Sequence, residues 1–469
     1  MMKLLKLVGM LSLVTVLCTG CYNREYTTES LFSKLPVYDS DEKDLSDEVT
    51  RVLGSAALVL PSNSMEVGKI NKVDLDEDGN DEVVFFEKKE GIRVKNEVGF
   101  TILDSNNDES YDISYTESGS KIKYANFYDL DKDGNKEIIL LIENEYMTTL
   151  TICRYENGKI NELISKNNFN YFNRNRFTKL GVLVQDINGD KILDLIVYNY
   201  NNSTDKMNVY ACNLKDDKLS IIDSIRLDDV KNFEDINISV GNIASNKKKA
   251  LLLSLPYTEK SGYITEIIYL EDNEFVNAFE KDYEKVLNPY YVKVEDINKD
   301  GIINIPIVDS NSVTIDTLIT DASPTSAIVS WNKYNEKKGE DADLLFVNQI
   351  YYNYENNFKF LIPNNLVGKI YITEETEDTN NNFRVYKFYY YDSNDFYNTK
   401  NEENKKDLFT LNLTEKNIVE DSNNISKSNI NVFETEKYVF SISDVNEKQL
   451  KKFDLTVDII KDYFSKISE

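Results

Sequence analysis

Apolar and polar residues alternate over most of this chain in short runs, as in "KIKYANFYDLD" (Lys121–Asp131) and "YYVKVEDIN" (Tyr290–Asn298). Each such run leads into an acidic segment, and a continuous apolar run leaves it, as in "EVVFF" (Glu82–Phe86) and "EIILLI" (Glu137–Ile142). One or two further alternating runs follow, among them "EVGFTILDS" and "TLTICRYENGKINELI", the latter interrupted by Asn157-Gly158. A period of two over this length predicts strands, and Asn-Gly between two such runs predicts a tight hairpin.

This order recurs. The acidic segments are "DLDEDGNDEVVFF" from Asp74, "DLDKDGNKEIILLI" from Asp129, "DINGDKILDLIVYN" from Asp186 and "DINKDGIINIPIVD" from Asp296. A degraded copy, "NIASNKKKALLLSL", begins at Asn242, so successive starts lie 55, 57, 56 and 54 residues apart. A near-constant period of this size marks stacked supersecondary units. Each unit has the content of one four-stranded antiparallel sheet, and such sheets repeated around an axis form a β-propeller. The expected fold is mostly β: a propeller-like array of about five four-stranded repeats over residues 67–345, then a smaller α+β domain over 346–469.

The flanks differ in pattern. Leu45, Val49, Val52 and Leu53 at helical spacing predict a short helix docked on the first repeat. Near the C-terminus, Asp444 and Glu447 fit a capping box before one short helix. Ile459, Ile460, Tyr463, Phe464 and Ile467 fit one face of a second. The C-terminal region is distantly similar to the Mog1/PsbP-like fold.

The N-terminus, "MMKLLKLVGMLSLVTVLCTGC", places Lys3 and Lys6 before an apolar run and small residues, the pattern of a secretory signal over 1–20. Cys18-Thr19-Gly20-Cys21 resembles the lipobox of bacterial lipoproteins, with Cys18 where leucine is usual. The resemblance implies acylation of Cys21 and a tether, residues 21–66 including the short helix, on the outer face of the cell membrane.

Charge narrows the chemistry. The chain has 54 basic and 81 acidic residues, a formal net charge of −27, and no histidine. That balance repels nucleic acid and favours divalent cations. Without histidine, a Ser-His-Asp triad and histidine metal ligation are excluded. Cys153 and Cys212 are expected to be buried free thiols. The 31 Tyr and 22 Phe are expected chiefly to fill strand faces.

The acidic segments have the ligands calcium takes: carboxylates at positions 1, 3 and 5, a turn at 6, a backbone carbonyl at 7 and a further acid at 9. The first loop offers Asp74, Asp76, Asp78, the Asn80 carbonyl and Glu82; the second Asp129, Asp131, Asp133, the Asn135 carbonyl and Glu137. The third offers Asp186, Asn188, Asp190 and Asp194, with Lys191 at the glycine position. The last intact loop offers Asp296, Asn298, Asp300 and Asn304. The first two carry the most charge and rank as the tightest sites. At Asn242 the lysines Lys247, Lys248 and Lys249 exclude calcium, and their ammonium groups can take its place. An EF-hand is excluded, because position 12 is Phe85, Leu140, Val197 or Ile307, where a bidentate Glu is required.

These repeats resemble the FG-GAP/VCBS-type repeats of integrin α-chains and bacterial surface proteins, through the loop and its period over about residues 68–347. The phenylalanine-glycine and glycine-alanine-proline signatures that name that family are absent. The whole layout resembles propeller-repeat lipoproteins of Firmicutes. The resemblance implies a calcium ion in the loop joining the first two strands of each blade. The function expected is that of a calcium-stabilised, non-enzymatic lipoprotein that binds a protein or glycan. The alternative is a secreted polysaccharide-active hydrolase or lyase using paired carboxylates.

Overall fold

The computed structural model describes residues 40–91, 95–104, 111–145, 147–165, 178–201, 203–257, 262–315, 324–376, 383–391, 404–416 and 430–467. The signal segment and Cys21 lie outside them.

Four successive antiparallel sheets follow the repeat. The first is built on Ile70–Val73, Glu82–Lys89, Glu97–Asp104 and Tyr111–Ser118, with Ala57–Leu58 added beside Glu82–Lys89. The second comprises Lys121–Tyr128, Glu137–Glu143, Thr148–Glu156 and Lys159–Ile164. Asn157 and Gly158 both take positive φ, 51° and 70°, as a type I′ hairpin turn requires. The third comprises Thr178–Gln185, Asp194–Asn201, Lys206–Lys215 and Lys218–Leu227. The fourth comprises Asn237–Asn242, Lys249–Pro256, Tyr263–Glu271 and Glu274–Asn277.

The second strand of each sheet is apolar on both faces, which is why it reads as a continuous run: each face packs on a different neighbour. Val84 and Phe86 join the second sheet's Ile138, Leu140 and Ile142 in one core. Ile139 and Leu141, on the opposite face, join Leu195 and Val197 of the third sheet. Ile196 then meets Leu251 and Leu253 of the fourth. Cys153 and Cys212 are buried free thiols in two different cores.

The array is covered at its start. Helix α1 (Ser40–Leu53) lays Leu45, Val49, Val52 and Leu53 on Phe85 and Leu103, the face of the first sheet turned away from the second. None of the described hydrophobic clusters joins the first sheet to the fifth. Here α1 does what a preceding repeat would otherwise do, as terminal caps do in repeat proteins.

The fifth repeat departs from the others. Of "YYVKVEDIN", only Glu295 pairs, in an isolated bridge with Asn304, and Tyr290, Val292 and Ile297 pack on the Trp331 face of strand Pro324–Tyr334. Pro306 has no N–H for a ladder, and the Asn288 side chain takes over, donating to Pro306 O (2.9 Å) and accepting from Val308 N (2.8 Å). The fifth sheet runs Ile305–Val308, Pro324–Tyr334, Leu344–Asn353, Phe358–Ile362 and, from the far end of the chain, Phe464–Lys466.

Strand Leu344–Asn353 thus runs through the point, 345/346, at which the sequence period ends. The smaller α+β part is built on the sheet Ile370–Thr376, Phe383–Tyr391, Lys405–Glu415, Tyr438–Ser443 and Ile430–Glu434. It shares one core with the fifth sheet, where Phe358, Phe360 and Ile362 meet Phe388, Phe409, Leu411 and Phe440. Helix α2 (Glu447–Leu450) is capped by Asn446, whose side chain accepts from Gln449 N, and not by Asp444. Helix α3 (Val457–Asp462) stops before Phe464, because Phe464 enters the ladder opposite Phe360, with their rings 4.6 Å apart.

Candidate functional site

All four intact acidic loops join the first two strands of a repeat or the equivalent segments of the fifth, and share one backbone conformation. Position 4 (Glu77, Lys132, Gly189, Lys299) and position 6 (Gly79, Gly134, Lys191, Gly301) have positive φ in every case. The third loop exchanges which of the two positions holds glycine, so Lys191 sits at φ 70°. Even the degraded loop keeps Lys247, its position 6, at φ 64°.

Three hydrogen bonds recur with that conformation. The position 1 carboxylate accepts from the N–H of position 6: Asp74 from Gly79, Asp129 from Gly134, Asp186 from Lys191 and Asp296 from Gly301. The position 5 carboxylate accepts from position 7: Asp78 from Asn80, Asp133 from Asn135, Asp190 from Ile192 and Asp300 from Ile302. Position 9 reaches back to position 2: Glu82 accepts from Leu75 N, Glu137 from Leu130 N, Asp194 from Ile187 N and Asn304 from Ile297 N. These position 9 residues are 0–1% exposed, so their first task is to satisfy a backbone N–H beside the core.

The loops then divide by the residue at position 3. In the third and fifth repeats it is asparagine, and the Asn188 and Asn298 amides donate to Asp190 and Asp300. Asp186 and Asp296 use both oxygens on backbone N–H groups. Those loops close on themselves. In the first two repeats position 3 is aspartate, which has no proton to donate. Asp74, Asp76 and Asp78 bring carboxylate oxygens within 4.8 Å of one another, as do Asp129, Asp131 and Asp133. Asp74 Oδ1, Asp76 Oδ1, Asp129 Oδ1 and Asp131 Oδ1 are buried with no hydrogen-bond partner. Burial, with Asp78, Asp104 and Asp74 nearby, raises the Asp76 carboxyl above its ordinary range. Burial pushes Glu82 up to about 7, with Asp76, Asp104 and Asp78 adding to it.

What faces position 9 across the sheet also differs, and strand register brings it there. In the first sheet it is Asp104, next to Leu103, which pairs with Val83; it accepts a hydrogen bond from Tyr155 Oη (2.5 Å). In the second it is Arg154, paired with Glu137. The third has Asn213, which follows Cys212, the partner of Leu195. In the fifth it is Lys333, following Asn332, which pairs with Ile305. Arg154 donates through Nε (2.7 Å) and Nη2 (2.5 Å) to Glu137, and pairs with Asp131 and Asp133, each at 3.0 Å. Asp217, from the turn of the third sheet, joins it at 2.6 Å. Lys333 pairs with Asp300 and holds that carboxyl below its usual range. Asp104, Arg154 and Lys333 escape a reading of loop spacing because hairpin register places them, and Asp217 because the packing of the third sheet beside the second does.

Adjacent loops touch. Lys136 of the second loop donates its backbone N–H to Leu75 O and its Nζ to Asp74 O, both at 2.8 Å. In the degraded loop Lys248 Nζ lies over the Tyr269 ring, 3.7 Å from its centroid, and 3.6 Å from Glu271.

The donor set of the first two loops is oxygen only, which suits a hard cation such as calcium over zinc or copper.

No protein-family model matches the chain, and no curated protein does. Among solved structures it matches an exotype rhamnogalacturonan lyase, YesX, at 12% identity and TM-score 0.28, over 73% of this chain and 64% of that one. Another is rhamnogalacturonan lyase YesW, at 14% identity and TM-score 0.27, over 72% and 64%. A third is a protein from Lactobacillus plantarum, at 10% identity and TM-score 0.25, over 68% and 93%. The chain thus spans under two thirds of each lyase, and likeness at these scores carries no argument about activity or substrate.

Proposed function

We propose that this chain is a calcium-stabilised, non-enzymatic binding module, held by a lipid on Cys21 at the outer face of the cell membrane, that engages a protein or glycan. The observation that carries the calcium reading is the first loop: three carboxylates within 4.8 Å, two of their oxygens buried without a partner. Asp74, Asp76, Asp78 and Glu82 would hold the ion, and its charge would offset their repulsion and fasten the first two strands together. The role of calcium is structural, and extracellular sites of this kind bind with Kd on the order of 10⁻⁴ to 10⁻³ M.

The test is calcium titration of the purified full chain by calorimetry and thermal unfolding. Heat of binding and a rise in Tm, both lost in Asp76→Asn, are expected; no binding at 10 mM calcium (about tenfold above the weaker limit) would refute the reading. For the anchor, metabolic labelling with a fatty-acid probe is expected to mark the wild type and not Cys21→Ser.

A further inference from the structure

We infer that, in the two loops with aspartate at position 3, the side chain across the strand from position 9 decides whether the loop depends on metal, and that Arg154 is the resident cation of the second loop, supplying from the protein positive charge that the first loop takes from calcium. This rests on the reading of the first loop as a calcium site.

The first two repeats of the molecule are directly comparable. The first and second loops have the same acids at positions 1, 3, 5 and 9, the same backbone conformation and the same hydrogen bonds. They differ at positions 4 and 8, where exposed Glu77 and Asp81 have Lys132 and Lys136 as counterparts, and across the strand, where one has Asp104 and the other the buried Arg154. The Arg154 side chain is 8% exposed and reaches three of the four acids of its loop. A buried guanidinium fixed by several carboxylates on both its edges is a built-in counter-ion. The fifth repeat supports this independently: Lys333 occupies the same strand position and pairs with Asp300, the counterpart of Asp133. Two of four loops thus draw a cation from one structural position.

Calcium affinity follows the ligand charge count. The second loop's four acids are reduced by one charge through Arg154, while the first loop's four are joined by Asp104. A divalent ion about 5 Å from a unit positive charge loses on the order of tenfold in affinity even at the dielectric constant of water. Asp129 Oδ1 and Asp131 Oδ1 remain unpartnered, so the second loop keeps the oxygens for an ion that Arg154 disfavours. Removing the guanidinium uncovers that site.

The experiment is calcium calorimetry on the purified full chain. The wild type is expected to bind one ion, lost in Asp76→Asn and kept in Asp131→Asn. Arg154→Gln is expected to bind two, the second lost when Asp131→Asn is added, and to be less stable than wild type in chelator but not in calcium. Arg154→Lys is expected to keep one. Should Arg154→Gln not fold, the two single Asp variants still decide the matter, since equal losses in both would show two equivalent sites and overturn the inference. Two ions in wild type falling to one in Arg154→Gln would make Arg154 a support of metal binding and overturn it as well. If the wild type binds none while Arg154→Gln gains one, the calcium reading of the first loop fails and the role of Arg154 stands. No binding in either variant overturns both.

Discussion

Asp76→Asn should reverse its effect on stability with calcium. In the first loop the carboxylate oxygens of Asp74, Asp76 and Asp78 lie within 4.8 Å of one another. At that distance each pair repels by about 0.9 kcal/mol at the dielectric constant of water, and by more where burial lowers it. The substitution removes two of the three pairs, so in chelator the variant is expected to be more stable than wild type by about 1.7 kcal/mol. Its amide keeps the shape and adds a donor where Asp76 Oδ1 has no partner. In calcium at a hundredfold excess over Kd, the wild type gains about 2.7 kcal/mol through linkage and the variant little of it. The order of stabilities therefore inverts by roughly 1 kcal/mol. Urea unfolding of both proteins in chelator and in calcium, with m-values compared, reads this directly. A variant less stable than wild type in chelator by a similar margin as in calcium would refute the reasoning, since the acids would then be serving as ordinary turn residues.

Other outcomes follow from the same geometry. Lys191 occupies a left-handed backbone position at φ 70°, so Lys191→Gly is expected to stabilise the chain by about 1 kcal/mol in chemical denaturation. Gly134→Ala should do the reverse, because φ is 98°, a backbone conformation that a residue with a Cβ holds only under strain; loss of about 1–3 kcal/mol is expected, and a neutral effect would mean that this turn relaxes out of the left-handed region. Phe464→Ala empties a site ringed by Phe360, Phe388 and Phe409, and should cost about 3–5 kcal/mol. Hydrogen exchange should place that loss in the fifth and C-terminal sheets and not in the first three. Burial holds the Cys153 thiol far above its usual range and pushes Cys212 up to about 12, so peptide mapping after thiol labelling should find both unmodified in the native chain and modified in denaturant. Incubation with a polysaccharide panel in calcium should release no new reducing or unsaturated ends; turnover abolished by one carboxylate substitution outside the loops would refute the binding-module reading.

The period near 55 residues, the strand pattern, the Asn157-Gly158 turn and the clustered acids of the loops were all legible in the sequence, because each depends on residues close together in the chain. The sequence also shows Asp76 and Asp131 against Asn188 and Asn298 at position 3, but the structure was needed to show the amides donating to Asp190 and Asp300 and those two loops closing. The residues across the strand were not legible. Asp104, Arg154, Asn213 and Lys333 reach their loops by hairpin register, and the hairpins differ in length, so no fixed spacing marks them. The end of the period at 345/346 likewise hid the continuation of strand Leu344–Asn353 into a core shared with the C-terminal sheet, since a strand with alternating faces does not say which sheet will cover it. Local chemistry is written in order along the chain and specified the repeats and their acidic loops. The register in which neighbouring strands pair is fixed only in the folded sheets, and it decided which loops carry their own cation.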